Sequence, residues 1–414
     1  MNRTLPGVAA LLLAACAPGP LERRPERIVL IVVDMLRADR LGYSGGASAT
    51  PVLDRLASEG VPYPQVVAAF HQTTMSMASI FTGQTPSLES DDSSQPLGWS
   101  GATWCGMTRF ATPGDEGCIP LALSTVAEAL QAAGYRTIGV ASNPLTFEPS
   151  GYSQGFEDWT EVGTGTEALA VGRTLALARG AGPVNEAVGR ALARRAGDRF
   201  FLYVHYMDVH DYQEVGATYE AMVAAVDGAI GSLLERLCGA GLLGGTTIVI
   251  TSDHGERLGE THALEGMPGH FGNPSFETVL RVPLIVWPQA GHPAPAAFRG
   301  QDTRRLLESL AGIDSPPATE LREDEVFLTE RWFRSYRHYP WKSLWDRRDG
   351  RLYLFNLAED PGEQRNVALE HASLAREHLE RIGALAAAVS VPARSGTPLS
   401  EADRQRLKAL GYLD

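Results

Sequence analysis

The sequence predicts an α/β protein: a doubly wound, mostly parallel sheet flanked by helices, with a small C-terminal antiparallel sheet and helix. Three observations carry that expectation. Ile28–Asp34 and Thr246–Thr251 are short runs rich in β-branched residues, the pattern of strands covered on both faces. Strand-like and helix-like stretches alternate as far as Trp287. From about Val326 the style changes to short strands with close turns, then one helix.

The chain has 414 residues, 44% of them hydrophobic and 21% charged, which suits one large domain with a small appendage. A net charge of −13 argues against a general nucleic-acid binder. Arg3 followed by the apolar run Val8–Ala15 reads as a secretory signal, too short for a finished membrane span. Leu13-Ala14-Ala15-Cys16 resembles the bacterial lipobox, which implies lipidation of Cys16. The protein is then expected in the cell envelope, lipid-anchored in the periplasm or at the outer-membrane surface. Residues 17–26 read as a tether, 27–320 as the main α/β domain, 321–391 as a small α+β unit, and 392–414 as a linker with a terminal helix. Export favours a disulfide between Cys105 and Cys118, worth about 3 kcal/mol in the chain-entropy model. Cys238, in a helical pattern, reads as an ordinary buried thiol.

In chain order, Thr50-Pro51 opens a helix through Glu59, stopped by Gly60. Val61–Val67 reads as a short strand. Thr73 stands just before the helical run Met75–Phe81, where a hydroxyl either caps the helix or helps its free N–H groups hold an anion. Gln84–Pro120 is long and irregular, and is expected as a flap over the site. Ser124–Ala133 is a helix and Thr137–Ser142 a strand, ending on the polar turn Asn143-Pro144. Helices follow at Thr166–Ala178 and Val184–Ala196, then the strand Phe200–His205, with Asp208, His210 and Asp211 beyond it. Tyr219–Leu237 is a long amphipathic helix. After Thr246–Thr251 comes the Gly-rich loop 255–273, and Pro283–Trp287 is the last core strand. Val326–Thr329, Trp341–Trp345 and Arg351–Phe355 form the small sheet, with the helix Ala368–Ala387 behind it.

The chemistry gathers at strand ends, where ligands bind in open α/β sheets. Asp34 closes the first strand, and Asp253 and His254 follow the strand Thr246–Thr251. If these strands are parallel neighbours, two carboxylates and an imidazole converge, an arrangement that calls for a cation. The donor set suits one divalent ion, Zn²⁺, Mn²⁺ or Mg²⁺ before Ca²⁺.

The stretches IVLIVVDMLRADRLGY, TTMSMASIFTG, AGYRTIGVASNP, FFLYVHYMDVH, TSDHGERLGE and LRVPLIVW, with the tail LYLFNLAEDPGEQRN, resemble the sulfatase family of the alkaline phosphatase superfamily. The resemblance covers nearly all of residues 27–414. It implies metal ligands at Asp34, Asp253 and His254, a nucleophile at Thr73, and anion-binding or acid histidines at His210 and His270. His205, Asp208, His262 and Asn143 are further substrate-binding candidates. The chain departs from the family pattern at several positions. Thr73, Met75 and Met77 occupy the Cys/Ser-x-Pro-x-Arg motif, and threonine cannot give the formylglycine aldehyde. Met35 replaces a second Asp, and Ala141-Ser142-Asn143 stand where many sulfatases carry Lys and His. Asp, Thr, Asp and His together resemble the phosphoester enzymes and phosphoethanolamine transferases of the superfamily.

The expected function is therefore a metal-dependent hydrolase of sulfate or phosphate esters, with Thr73 as a metal-activated nucleophile and an anionic ester, a glycan among the candidates, as substrate. The alternatives are a phosphoryl-group transferase on envelope glycans and a non-catalytic glycan-binding lipoprotein.

Overall fold

A seven-stranded sheet in the order β2-β8-β7-β1-β6-β4-β5 organises the molecule. Its strands are β1 (Arg27–Val33), β2 (Val61–Pro62), β4 (Arg136–Ala141), β5 (Asp158–Glu161), β6 (Phe200–Tyr206), β7 (Thr246–Thr251) and β8 (Leu284–Trp287). β1 pairs in parallel with both β6 and β7, and β4 with β5 and β6; β8 runs antiparallel to β7 and to β2. The computed structural model describes residues 25–87, 105–112, 115, 117–164, 173–193, 199–266, 269–270, 275–288, 294–316, 321–322, 324–329 and 332–389.

The seven residues of β1 are all buried, and they explain the two layers. Val29, Ile31 and Val33 face a core shared with the helices Pro51–Glu59, Ala181–Ala193 and Tyr219–Gly239. Ile28, Leu30 and Val32 face the other core, with the helices Thr73–Thr82, Val126–Ala132 and Asp302–Leu310. Each such side chain contributes about 1.5–3 kcal/mol by burial, so a polar residue on either face would be costly.

Several expected elements shift. The expected strand Val61–Val67 is two short pieces, β2 and β3 (Val66–Val67), the latter pairing with β9 (Phe298–Arg299). β5 and the helix Asp302–Leu310 were not expected: β5 is only four residues long, and the helix turns Leu307 and Leu310 inward but is mostly polar. The second C-terminal strand was also missed. The C-terminal sheet has four strands in sequence order: β10 (Glu325–Thr329), β11 (Phe333–His338), β12 (Trp341–Asp346) and β13 (Leu352–Asn356). β11 reads FRSYRH, whose charges hide its alternation. The helix Ala372–Val389 packs on this sheet through Ile382, Leu385, Ala386 and Val389.

Cys105 and Cys118 form the expected disulfide, with Cα atoms 5.3 Å apart. Cys238 is half-buried near the end of the helix Tyr219–Gly239, not fully buried as expected. Among the described residues no helix is long and apolar enough to cross a membrane. The signal, Cys16, most of the expected flap and the terminal helix lie outside the described residues.

Candidate active site

The register of the central strands explains why distant residues meet. Val32 stands opposite Thr251 on β7 and His205 on β6. The residues just past β1 and β7 therefore emerge together at the same edge of the sheet. Asp34, Asp253 and His254, all fully buried, each offer a ligand atom within 4.8 Å of the others.

Each carboxylate is half used. Oδ2 of Asp34 accepts hydrogen bonds from Asn143 Nδ2 (2.7 Å) and His205 Nε2 (3.2 Å). Oδ1 of Asp253 accepts from the backbone N–H groups of His254 (2.8 Å) and Met35 (3.3 Å). The remaining oxygens, Asp34 Oδ1 and Asp253 Oδ2, are buried without a hydrogen-bond partner. They lie 3.9 and 3.5 Å from His254 Nε2. His254 Nδ1–H donates to Gly255 O at 2.9 Å, which leaves the Nε2 lone pair facing the same spot. Orphaned buried carboxylate oxygens are costly, and this donor set suits a hard or borderline divalent cation.

The backbone is bent to make the cluster. Met35, where the family pattern has a second Asp, is buried and adopts φ 62°, a left-handed conformation that costs about 1–2 kcal/mol for a residue with a side chain. The bend turns its N–H towards Asp253, while its carbonyl accepts from Tyr219 OH at 2.7 Å. Gly255 cannot carry a side chain here: a Cβ would lie 2.5 Å from the Thr278 carbonyl oxygen.

Thr73 is not the helix cap. The helix begins at Thr73 itself, and Gln72 is the capping position. Freed from capping, the Thr73 hydroxyl lies 3.2 Å from His254 Nε2 and 3.5 Å from Asp34 Oδ2. It also sits at the positive end of a ten-residue helix. Met75 and Met77 are buried in the core behind it. Tyr152 OH holds that helix start, donating to Thr74 O at 2.5 Å while packing on the disulfide sulfurs.

Burial would raise the Asp34 carboxyl, but the His205 hydrogen bond and the charges of His210 and His254 hold it well below the usual range. Burial pulls His210 down; its hydrogen bond to Asp211 (3.0 Å) and the charge of Asp34 win and raise it. Asp211 is itself gripped by Arg179 through two bonds of 2.7 and 2.5 Å. His270 is lowered by burial and by His254, whose ring centroid is 4.4 Å away, and its Nδ1 lies 3.1 Å from Glu256. His210 and His270 are neighbours, with centroids 5.9 Å apart.

The other candidates fall into two groups. Asn143 and His205 touch Asp34 directly, and His205 Nδ1 accepts from Tyr203 OH at 2.7 Å, so both orient the Asp34 carboxylate. Asp208 instead accepts from Ala181 N at 3.0 Å, at the start of the helix Ala181–Ala193. His262 stacks on Phe276 (3.8 Å) and lies 3.3 Å from Glu363, against the C-terminal sheet. Arg179, Tyr203, Tyr219 and Ser252 carried no signal in the sequence. Ser252 Oγ accepts from Leu36 N and donates to His254 O, tying the two strand ends together.

The Sulfatase family model matches residues 26–306. The chain belongs to the sulfatase family. It is 26% identical over 352 residues to N-acetylgalactosamine-6-sulfatase of Mus musculus, and 25% identical over 370 residues to arylsulfatase A of Homo sapiens. These alignments cover 74% and 76% of this chain, but 65% and 69% of the relatives, so the chain spans just under two thirds of the mouse protein. Among solved structures, a protein in complex with its substrate D-glucosamine-2-N,6-O-disulfate superposes with a TM-score of 0.65 at 17% identity, covering 89% of this chain and 98% of that one. An alkaline phosphatase superfamily protein from Vibrio parahaemolyticus gives 0.60 at 15%, covering 93% and 97%. These two show the shared fold, the mostly parallel sheet with its C-terminal antiparallel sheet.

Proposed function

We propose that this chain is a metal-dependent hydrolase of sulfate or phosphate esters that uses Thr73 as its nucleophile, anchored in the cell envelope through Cys16. The observation that carries the reading is the convergence of Asp34 Oδ1, Asp253 Oδ2 and His254 Nε2 beside the Thr73 hydroxyl. Asp34, Asp253 and His254 would hold the ion, which when bound supplies the positive charge that makes a nearby hydroxyl acidic and neutralises an anionic ester.

The protein's own groups carry the steps. The helix N-terminus favours negative charge at Thr73 Oγ as its proton passes to solvent. Oγ then bonds to sulfur or phosphorus while the bond to the ester's bridging oxygen breaks. His210, whose proton is favoured by Asp211 and Asp34 against the opposing charge of Arg179, gives that proton to the departing oxygen. Water next attacks the ester on Thr73 and gives its proton to the now neutral His210, releasing the inorganic anion. His270, lowered by burial, serves as a neutral hydrogen-bond partner for the substrate's oxygens. Threonine is a secondary alcohol whose oxidation yields a ketone, so the hydroxyl itself is the reactive group. The core packing of Met75 and Met77 accounts for their apolar character and weakens the non-catalytic reading.

The test is mass spectrometry of the purified protein, loaded with a divalent ion, after exposure to a slow aryl phosphate or aryl sulfate. A mass increment on Thr73, absent from Thr73→Ala, is expected, with turnover lost in that variant and retained in part by Thr73→Ser. Unmodified Thr73 together with full turnover by Thr73→Ala would overturn it. Transfer of the group to an added alcohol in preference to water would identify a transferase.

A further inference from the structure

A cavity of about 810 Å³ lies at the same edge of the main sheet as the Asp34 cluster, but none of Asp34, Thr73, Asp253 or His254 lines it. One wall comes from the main domain, with Tyr43, Tyr63, Gln65 and Arg281; the other comes from the C-terminal part, with Tyr339 and Pro361. We propose that this cavity is a second binding site, for a sugar residue carrying an anionic group that is received at Arg281. The sugar part of that assignment rests on the reading of the protein as a hydrolase of glycan esters.

The charge argument starts with two guanidinium groups. Arg281 Nη1 and Arg337 Nη2 both donate to one neutral acceptor, Gln65 Oε1, at 2.8 and 2.7 Å. Arg281 makes no ion pair among the described residues, and its other bond is to the Pro64 carbonyl at 3.1 Å. Its Nε, with Nε and Nη1 of the fully buried Arg337, has no hydrogen-bond acceptor. Behind them, Lys342 is matched by Glu277 and Glu363 at 3.0 and 2.8 Å, and Arg337 reaches Glu277 only at 3.5 Å. Arg281, Arg337 and Lys342, drawn from both parts of the chain, therefore share Glu277 and Glu363. Like charges held together are costly, and a sulfate, phosphate or carboxylate group at Arg281, the guanidinium of this set that lines the cavity, would offset the charge that has no ion-pair partner. Elsewhere in the lining, Arg37 pairs with Asp39 and Glu260 at 2.7 and 2.5 Å, and Arg40 approaches the same two carboxylates, so these charges compensate one another.

The remaining lining fits a sugar ring. Tyr63 is a buried wall, Tyr339 is 44% exposed at the mouth, and prolines 62, 64 and 361 add flat apolar faces. Aromatic rings with a polar tip give both a face for C–H groups and hydroxyls for hydrogen bonding. Arg37 lines the cavity three residues beyond Asp34, so its Cα lies within about 11 Å of the ligand's Cα. One oligosaccharide can therefore occupy both places.

The test measures equilibrium binding of methyl β-glucuronide and glucose 6-sulfate, with methyl glucoside as the neutral control. Binding is run on the parent protein, Asp253→Ala, Arg281→Gln and Tyr339→Ala. The expected result is binding of at least one anionic sugar to Asp253→Ala as tightly as to the parent. Arg281→Gln should then lose at least tenfold in affinity, Tyr339→Ala about fivefold, and the neutral sugar should bind at least tenfold more weakly. Tyr339 is half-exposed, so its variant keeps the test readable even if Arg281→Gln misfolds. No binding of either anionic sugar to the parent, or binding abolished by Asp253→Ala and untouched at Arg281 and Tyr339, overturns the second site. Aryl ester turnover is measured separately, so failure of the cavity and failure of the hydrolase reading give different patterns.

Discussion

Two of the buried clusters of charged side chains differ in what is left over. Between the main sheet and the C-terminal sheet, Lys342 sits on Glu277 and Glu363, and the second oxygen of Glu363 accepts from Glu277 N at 2.7 Å. Lys342 and its two carboxylates satisfy one another. At the ends of β1 and β7, Asp34 and Asp253 meet no lysine or arginine among the described residues, and each keeps one oxygen without a hydrogen-bond partner there. The first arrangement joins two parts of a fold. The second is stable only with positive charge brought from outside, which is what a binding site requires.

The largest expected effect tests this difference directly. Asp253→Ala should abolish binding of one equivalent of divalent metal, measured by elemental analysis after gel filtration. Turnover should fall by about a thousandfold or more, since the ion supplies several kcal/mol of charge stabilisation. In metal-free protein, Asp253→Asn should raise stability by about 1–2 kcal/mol, because it removes one of two adjacent buried carboxylates. If chelation and Asp253→Asn both leave stability and turnover unchanged, the two clusters are alike and the site is not one for a cation.

Lys342→Met should do the reverse. It leaves Glu277 and Glu363 buried with one cation fewer and should cost about 3–5 kcal/mol in denaturant unfolding. Metal content should stay at one equivalent per folded chain. Glu277 is held low, to about 2, against its burial by Lys342 and Arg337, so the penalty should be largest at neutral pH, where the carboxylate is ionised. A Lys342→Met protein as stable as its parent would mean that Arg337 alone neutralises the cluster.

A third comparison sets His210 against His270, neighbours pushed in opposite directions. Burial is the largest single influence on His210, but the hydrogen bond to Asp211 together with the charges of Asp34 and Asp211 outweighs it, so the acid form persists to a higher pH than that of an ordinary histidine. Activity that needs that proton falls as pH rises through the raised value. Asp211→Asn removes the charge that raises it, so the alkaline limb of kcat/KM should move to lower pH, with a loss of about tenfold near neutrality. An alkaline limb that stays in place in Asp211→Asn would assign the proton to another group.

The same contrast explains what could be read from the sequence. β1 and β7 were legible because burial on both faces imposes uninterrupted apolar runs, and the acidic residues that end them mark where the chain leaves the core. The candidate metal ligands followed from those ends. Thr73 was legible as a hydroxyl at a helix start, but whether it caps the helix or faces the Asp34–His254 cluster depended on one residue of helix register. Asp208 and His262 stood behind His210 only through the family resemblance, since by residue type and position all are polar residues after strands or in loops. Only tertiary contacts separate them: Asp208 binds the Ala181 N–H and His262 packs on Phe276, while His210 faces His270. The grip of Arg179 on Asp211 spans 32 residues and has no local signature. Charge compensation in the second cluster was equally hidden, because Glu277, Lys342 and Glu363 come from three separate segments.

The smallest effect concerns a buried histidine with no charged partner. His378 is 3% exposed, its Nδ1 accepts from Ser343 Oγ at 2.7 Å, and it stacks edge-on against Tyr336. Burial first, and then the charge of His338, lowers it to about 4, against 6.5 for a free imidazole. A group lowered in the fold binds its proton more readily when unfolded, so its contribution is intact above about pH 6.5 and is lost as pH falls towards about 4. His378→Leu keeps the packing but leaves the Ser343 hydroxyl without its acceptor, at about 1 kcal/mol near pH 7.5. The variant should then be less stable than the parent at pH 7.5, and the gap should narrow at pH 5, where only the parent resists protonation. Urea unfolding at the two pH values measures this, and an equal gap at both would show that His378 does not stay neutral through that range.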